Sequence, residues 1–247
     1  RHSFPTRRSS DLLWLSHELV WRQPFPGPGL AIRIICTNSP YITEEFDRIQ
    51  TQLRLFETEN IKTTLIPIQT VWVQGDGRSF SYLVGLSGEG TWEEREKIAK
   101  SIPKSIRQVN RIVHIFGDAI REEVRDITPT HLTPDVIKQL QLADNIVNEI
   151  LLKYSLTQTL SQVPVILFPV GFGEDGKRSI AIRTFITNDF MTGVPAIPWK
   201  TKDASGKIIM TDSILDEIVQ RILSEVPWIG RVVYDLTGKP PWTTEWE

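Results

Sequence analysis

IPIQTVWVQGDGRSFSYLVGL, from Ile66 to Leu86, and VPVILFPVGFGEDGKRSIAIRTF, from Val163 to Phe185, are two versions of one pattern. Each is an apolar, β-rich run interrupted by Asp-Gly, which supplies the positive-φ residue a tight hairpin turn needs. The chain therefore carries an internal repeat, and the repeat extends outward from the hairpins. A strand of matching pattern follows each, VNRIVHIFG from Val109 to Gly117 and IGRVVYDLTG from Ile229 to Gly238.

The helices keep the same order. TEEFDRIQTQL from Thr43 puts Phe46, Ile49 and Leu53 on one face before the first hairpin. Thr133 and Pro134 read as N-cap and first helical residue of a long helix with Ile137, Leu140, Val147, Leu151 and Tyr154 at helical spacing. Asp144 falls in that stripe, and rotation of the stripe is expected to leave it exposed. Thr91 with Glu94 forms a capping box for a helix ended by Pro103, and Ser213 with Asp216 opens the helix of Ile214, Ile218 and Ile222. The expected class is α+β: two tandem α-β-β-α-β subdomains, each a small sheet with helices packed on one side. The polar stretch from Asp118 to Thr133 links them, and Pro195 to Asp212 is an insertion in the second.

Composition narrows the function. The 247 residues are 40% hydrophobic and 23% charged, enough for a sizeable core, and a net charge of -2 gives no general pull toward nucleic acid or an anionic membrane. No window approaches a membrane span. The single cysteine, Cys36, excludes an intramolecular disulfide and fits a cytoplasmic location; it reads as an ordinary buried strand residue. The four histidines, His2, His17, His114 and His131, show no metal-ligand spacing, so no metal is expected.

Residues 1–12, RHSFPTRRSSDL, lack the apolar core of a secretory signal and look like translated adapter sequence, which implies natural sequence upstream of Leu13. QPFPGPGL, Gln23 to Leu30, is too rich in proline and glycine for a helix or strand, and Phe25 with the following apolar strand Ala31 to Ile35 points to a loop packed on a domain. On residues alone, Asp76 and Gly77 close a hairpin, Arg78 faces a phosphate or solvent, and Gln162 is either a strand-end residue or a purine-edge reader. Lys239, a point charge before the stiff Pro240-Pro241 pair, suits an anion, and Thr243, Thr244 and Glu245 can bond the hydroxyls and N–H groups of a nucleotide. On the residues alone a frayed terminus is the preferred reading of the same stretch.

Four segments resemble glutamine-hydrolysing GMP synthases in the right order: VWRQPFPGPGLAIR (Val20 to Arg33), VQGDGRSFSY (Val73 to Tyr82), IRTFITNDFMTG (Ile182 to Gly193) and VVYDLTGKPPWTTEWE (Val232 to Glu247). The resemblance is to the eukaryote-type enzyme, whose C-terminal region carries two related subdomains. It implies the end of an ATP pyrophosphatase domain at 13–35, including the loop Phe25, Pro26, Gly27, Pro28 and Gly29. A first dimerisation-type subdomain at 36–126 and a second, with a substrate-binding tail, at 127–247 follow. It further implies that Asp76, Arg78, Gln162, Lys239 and Glu245 meet xanthosine monophosphate (XMP), and that the chain forms a homodimer. Neither an SGGVDS-type phosphate loop nor a glutaminase Cys-His-Glu context occurs in the sequence. No catalytic residue and no cofactor is therefore assigned here; ATP and magnesium belong to the parent enzyme, in domains missing from this chain. The alternative is a stand-alone, non-catalytic tandem ligand-binding or dimerisation module, for which an RNA-binding strand signature is lacking.

Overall fold

A computed structural model describes residues 29–74, 77–157, 159–187, 192–202, 206, 208–238 and 245–246. Its elements run α1 (Phe46–Leu53), β1 (Ile61–Gln74), β2 (Gly77–Gly88), α2 (Trp92–Ser105), β3 (Val109–Ile115), α3 (Pro134–Lys153), β4 (Val165–Phe168), β5 (Arg178–Ile182), α4 (Asp212–Glu225) and β6 (Ile229–Asp235). The order is α-β-β-α-β twice, and the α+β class follows. The two three-stranded halves join edge to edge into one mixed sheet, β1-β2-β3-β6-β5-β4.

Within each half the hairpin is antiparallel and the helical crossover returns a parallel strand, β2 with β3 and β5 with β6. The seam between halves is antiparallel, pairing Val113 with Asp235, His114 with Tyr234 and Ile115 with Val233. Trp92 of α2 seals it from one side. Its ring meets His114 at 5.0 Å and Tyr234 at 5.8 Å, and its indole N–H donates to Asp212 Oδ1 at 2.5 Å.

Strand alternation sorts the core into two layers. Val84, Ile112, Val232 and Tyr234 point into the layer that holds the buried faces of all four helices, while Leu83, Val113 and Val233, one residue out of phase, point into a second layer. No described helix covers that second layer; Ile35, Val124 and Trp246 do, with Ile120, Ile127 and Phe172 at its margin. Each fully buried Ile, Leu or Val contributes roughly 1.5–3 kcal/mol relative to exposure, so both layers stabilise the sheet.

Several local expectations hold, with Phe46, Ile49 and Leu53 buried on α1, the capping box formed by Thr91 and Glu94, and Thr133 capping α3. Others are corrected. Pro103 does not end α2 but sits in its last turn, where a missing N–H costs one bond and Ile106 N–H still reaches Ile102 O at 2.8 Å. Thr211, not Ser213, caps α4, because its extended backbone lets Oγ1 accept from the Ile214 N–H at 3.3 Å. Asp144 is only partly exposed and pairs with Arg33 at 2.6 Å, which compensates its place in the apolar stripe.

Ala31 to Ile35 is not a strand. Ala31–Arg33 form a 3-10 turn, and Ile34 makes one parallel bridge to Leu167. Cys36, just beyond, is exposed rather than buried. The second hairpin has no tight turn: residues 169–177 connect β4 to β5, with Gly173 and Gly176 at positive φ inside that longer loop.

Candidate functional site

Strand direction alone sets which chain segments meet at one end of the sheet. The paired ends of β1 and β2, Gln74 and Gly77, mark that end. Because β3 runs parallel to β2 it starts there, and β6, antiparallel to β3, finishes there. β5, parallel to β6, also finishes there, and β4, antiparallel to β5, starts there. The approach to β4 carries Gln162, β6 leaves the sheet at Asp235, and the start of β2 carries Arg78.

Of these, Arg78 is exposed in β2 opposite Val73. Gln162 is partly buried, its carbonyl accepting from Phe185 N–H at 2.9 Å. Glu245 is partly buried, and its backbone carbonyl accepts from Arg111 Nη2 at 2.9 Å. Asp76 and Lys239 lie outside the described residues, as do Phe25, Pro26, Gly27 and Pro28; Gly29 is described and exposed.

Beneath this end lies a cluster that the sequence reading missed. Arg111 of β3 and Arg183, just past β5, each place Nη1 2.8 Å from the same Asp235 Oδ2, and all three side chains are 0% exposed. The Trp246 indole N–H donates to that oxygen at 3.0 Å, while Asp235 Oδ1 accepts from the Thr237 backbone N–H at 2.8 Å and from the Thr237 hydroxyl. Arg183 Nη1 also reaches Thr237 O at 3.0 Å and Thr237 Oγ1 at 2.9 Å.

Burial would raise the Asp235 carboxyl, but Arg183 and Arg111, with the Thr237 donors, outweigh it and hold the group below its ordinary value. Burial pulls Arg111 down to about 10, against the opposing attraction of Asp235, so it remains a cation at neutral pH. Two guanidinium groups thus share one carboxylate among the described residues. Arg111 Nε, Arg183 Nε and Arg183 Nη2 are buried without a hydrogen-bond partner, leaving a positive excess under this end of the sheet.

A signal was available in the sequence. Arg111 and Arg183 each interrupt an apolar strand run, VNRIVHI and IAIRTF, and a charge embedded in such a run demands a buried partner. The partner's identity was not legible, because Asp235 reads as an ordinary strand end.

The family described as GMP synthase C terminal domain matches residues 148–246. A glutamine-hydrolysing GMP synthase of Dictyostelium discoideum is 46% identical over 99% of this chain and 39% of its own length. A probable GMP synthase of Caenorhabditis elegans is 34% identical over 100% of the chain and 41% of its own, and one from Leptospira interrogans is 30% identical over 96% and 37%. The chain thus spans about two-fifths of the length of these relatives. It belongs to the GMP synthase family and corresponds to the C-terminal part of those proteins.

Proposed function

We propose that the chain supplies homodimerisation and part of the XMP site to a GMP synthase, a ligase of purine nucleotide biosynthesis that converts XMP, ATP, glutamine and water to GMP, AMP, diphosphate and glutamate. The observation that carries this reading is the convergence at one sheet end of the start of β2, the start of β4 and the end of β6. These segments are far apart in sequence; Arg78 and Gln162, two of the residues that the family resemblance assigns to XMP, belong to them, and the Glu245 carbonyl is tied back to β3 by Arg111. In this role Lys239 meets the phosphate as a point charge, Gln162 bonds the purine edge, and Asp76, Arg78 and Glu245 bond the remaining polar groups. The positive excess around Arg111 and Arg183 favours an anionic ligand nearby.

In this reading the residues of this chain do not hold the ATP and magnesium of the parent enzyme. The sequence holds no SGGVDS-type loop, and no group of three His, Cys, Asp or Glu among the described residues is arranged for a metal ion. No adenylylation step is therefore assigned to them, and ATP chemistry and ammonia delivery belong to the pyrophosphatase and glutaminase domains of the parent protein. Among the described residues no helix is long and apolar enough to cross a membrane. A cytoplasmic setting is part of the same reading.

Isothermal titration of XMP into the purified chain, with GMP and AMP as controls and light scattering for oligomeric state, tests the proposal. Selective XMP binding by a dimer is expected. A well-folded dimer that binds no XMP would reduce the chain to a scaffold and remove the substrate role.

A further inference from the structure

We propose that Asp235 anchors both ends of the C-terminal segment, and that Asp235, Arg111 and Trp246 are positioning residues holding Glu245 at the end of the sheet where the site lies. Its consequence for ligand binding rests on the XMP reading above; the anchor itself does not.

The two oxygens of Asp235 divide the work. Oδ1 takes the Thr237 donors, where the chain leaves β6, and Oδ2 takes the Trp246 indole N–H, where the chain comes back. Residue 237 and residue 246 are thus tied to one carboxylate. Arg111 adds a second tie on the returning side. It donates to Glu245 O at 2.9 Å, while its guanidinium carbon lies 5.2 Å from the centre of the Trp246 ring. The backbone completes the attachment, since Val71 N–H of β1 donates to Trp246 O at 2.9 Å.

Ordinary packing would not need this set. The Trp246 ring is fully buried against Phe168, with centroids 5.6 Å apart, and an apolar plug on that layer would be satisfied by the ring alone. Here the plug also carries a hydrogen bond to a buried carboxylate, and that carboxylate is fixed from behind by Arg183 and Arg111. Groups locked by a supporting shell are the means by which a binding residue is held within the fraction of an ångström that recognition requires. Glu245 is that residue. Its neighbours on both sides of the peptide, the Arg111 bond at its carbonyl and the Trp246 ring next in sequence, are the fixed points.

Amide hydrogen exchange of the chain, followed residue by residue and paired with XMP titration, decides the matter. Trp246→Ala should speed exchange at the Val71 amide about a hundredfold and weaken XMP binding about tenfold, with the β5–β6 ladder amides unchanged. Trp246→Phe, which keeps an aromatic plug but has no indole N–H to give Asp235, should recover only a minor part of the protection; full recovery would mean that packing alone holds the segment and would overturn the role of Asp235. Asp235→Asn should release both the Thr237 and Val71 amides; should it fail to fold, the two Trp246 variants still carry the test.

Wild-type protection at Val71 in Trp246→Ala would overturn the anchor. A released Val71 amide with unchanged XMP affinity would overturn the positioning role. If the wild-type chain binds no XMP while its tail amides are protected, the substrate reading fails and the anchor stands.

Discussion

His114 shows how a buried titratable group writes itself into stability without taking part in any site. Its ring lies under Trp92 and Phe116, at 5.0 and 4.6 Å, and Nδ1 sits 3.1 Å from Leu86 O. Burial, with Arg95 adding repulsion, holds its pKa down at about 3, against the raising effect of the Leu86 bond. The imidazole is therefore neutral when folded, and Nδ1–H is the donor. An unfolded histidine titrates near 6.5, so between about pH 6.5 and 3 the unfolded state binds the extra proton. Stability attributable to this group is full above that window and is lost as pH falls through it, at up to roughly 1.4 kcal/mol per pH unit. Urea unfolding from pH 7 to 5 should show this slope, and His114→Asn, which keeps a donor but cannot titrate, should flatten it. An equal slope in the variant would assign the acid sensitivity to other groups.

At the scale of elements, the sequence shows what is local and hides what is not. Apolar spacing sufficed for α1, α3 and the first hairpin, because a helix face or an alternating strand is set by residues a few positions apart. The start of α4 was misread because Thr211 and Ser213 both have the hydroxyl of a cap, and only backbone geometry chooses between them. Thr211 is extended at φ -123°, ψ 160°, as an N-cap must be, whereas Ser213 lies within the helix. Thr211→Ala should consequently lower stability by about 1 kcal/mol in chemical denaturation, and Ser213→Ala should be nearly neutral. The reverse order would return the cap to Ser213. The second hairpin was overdrawn for a related reason. Asp175-Gly176 is a turn signal, but the glycine serves one bend of a nine-residue connection, from 169 to 177, rather than a two-residue loop.

Two tandem units were legible in the sequence, but their union was not, since nothing local in VNRIVHI or IGRVVYD says that these two strands are each other's neighbours. The choice is made by what lies on either side of the seam. Above it, Trp92 from the first half packs on Tyr234 of the second and donates to Asp212 of α4. Below it, Arg111 of the first half and Arg183 of the second share Asp235. Separating the halves would expose Tyr234, Val233 and Ile112, all buried, and would strand Arg111 without its carboxylate, a break that costs about 3–5 kcal/mol for a buried pair. That cost exceeds what either half is expected to recover alone, given that small domains are marginally stable. The chain should accordingly unfold in urea as one transition, with far-ultraviolet circular dichroism and tryptophan fluorescence coincident, and residues 127–247 expressed alone should lack a cooperative melt. Two separated transitions, or a cooperative melt of 127–247, would mean that the seam is a contact between independent domains. The buried Arg–Asp–Arg cluster would then have to owe its stability to one half.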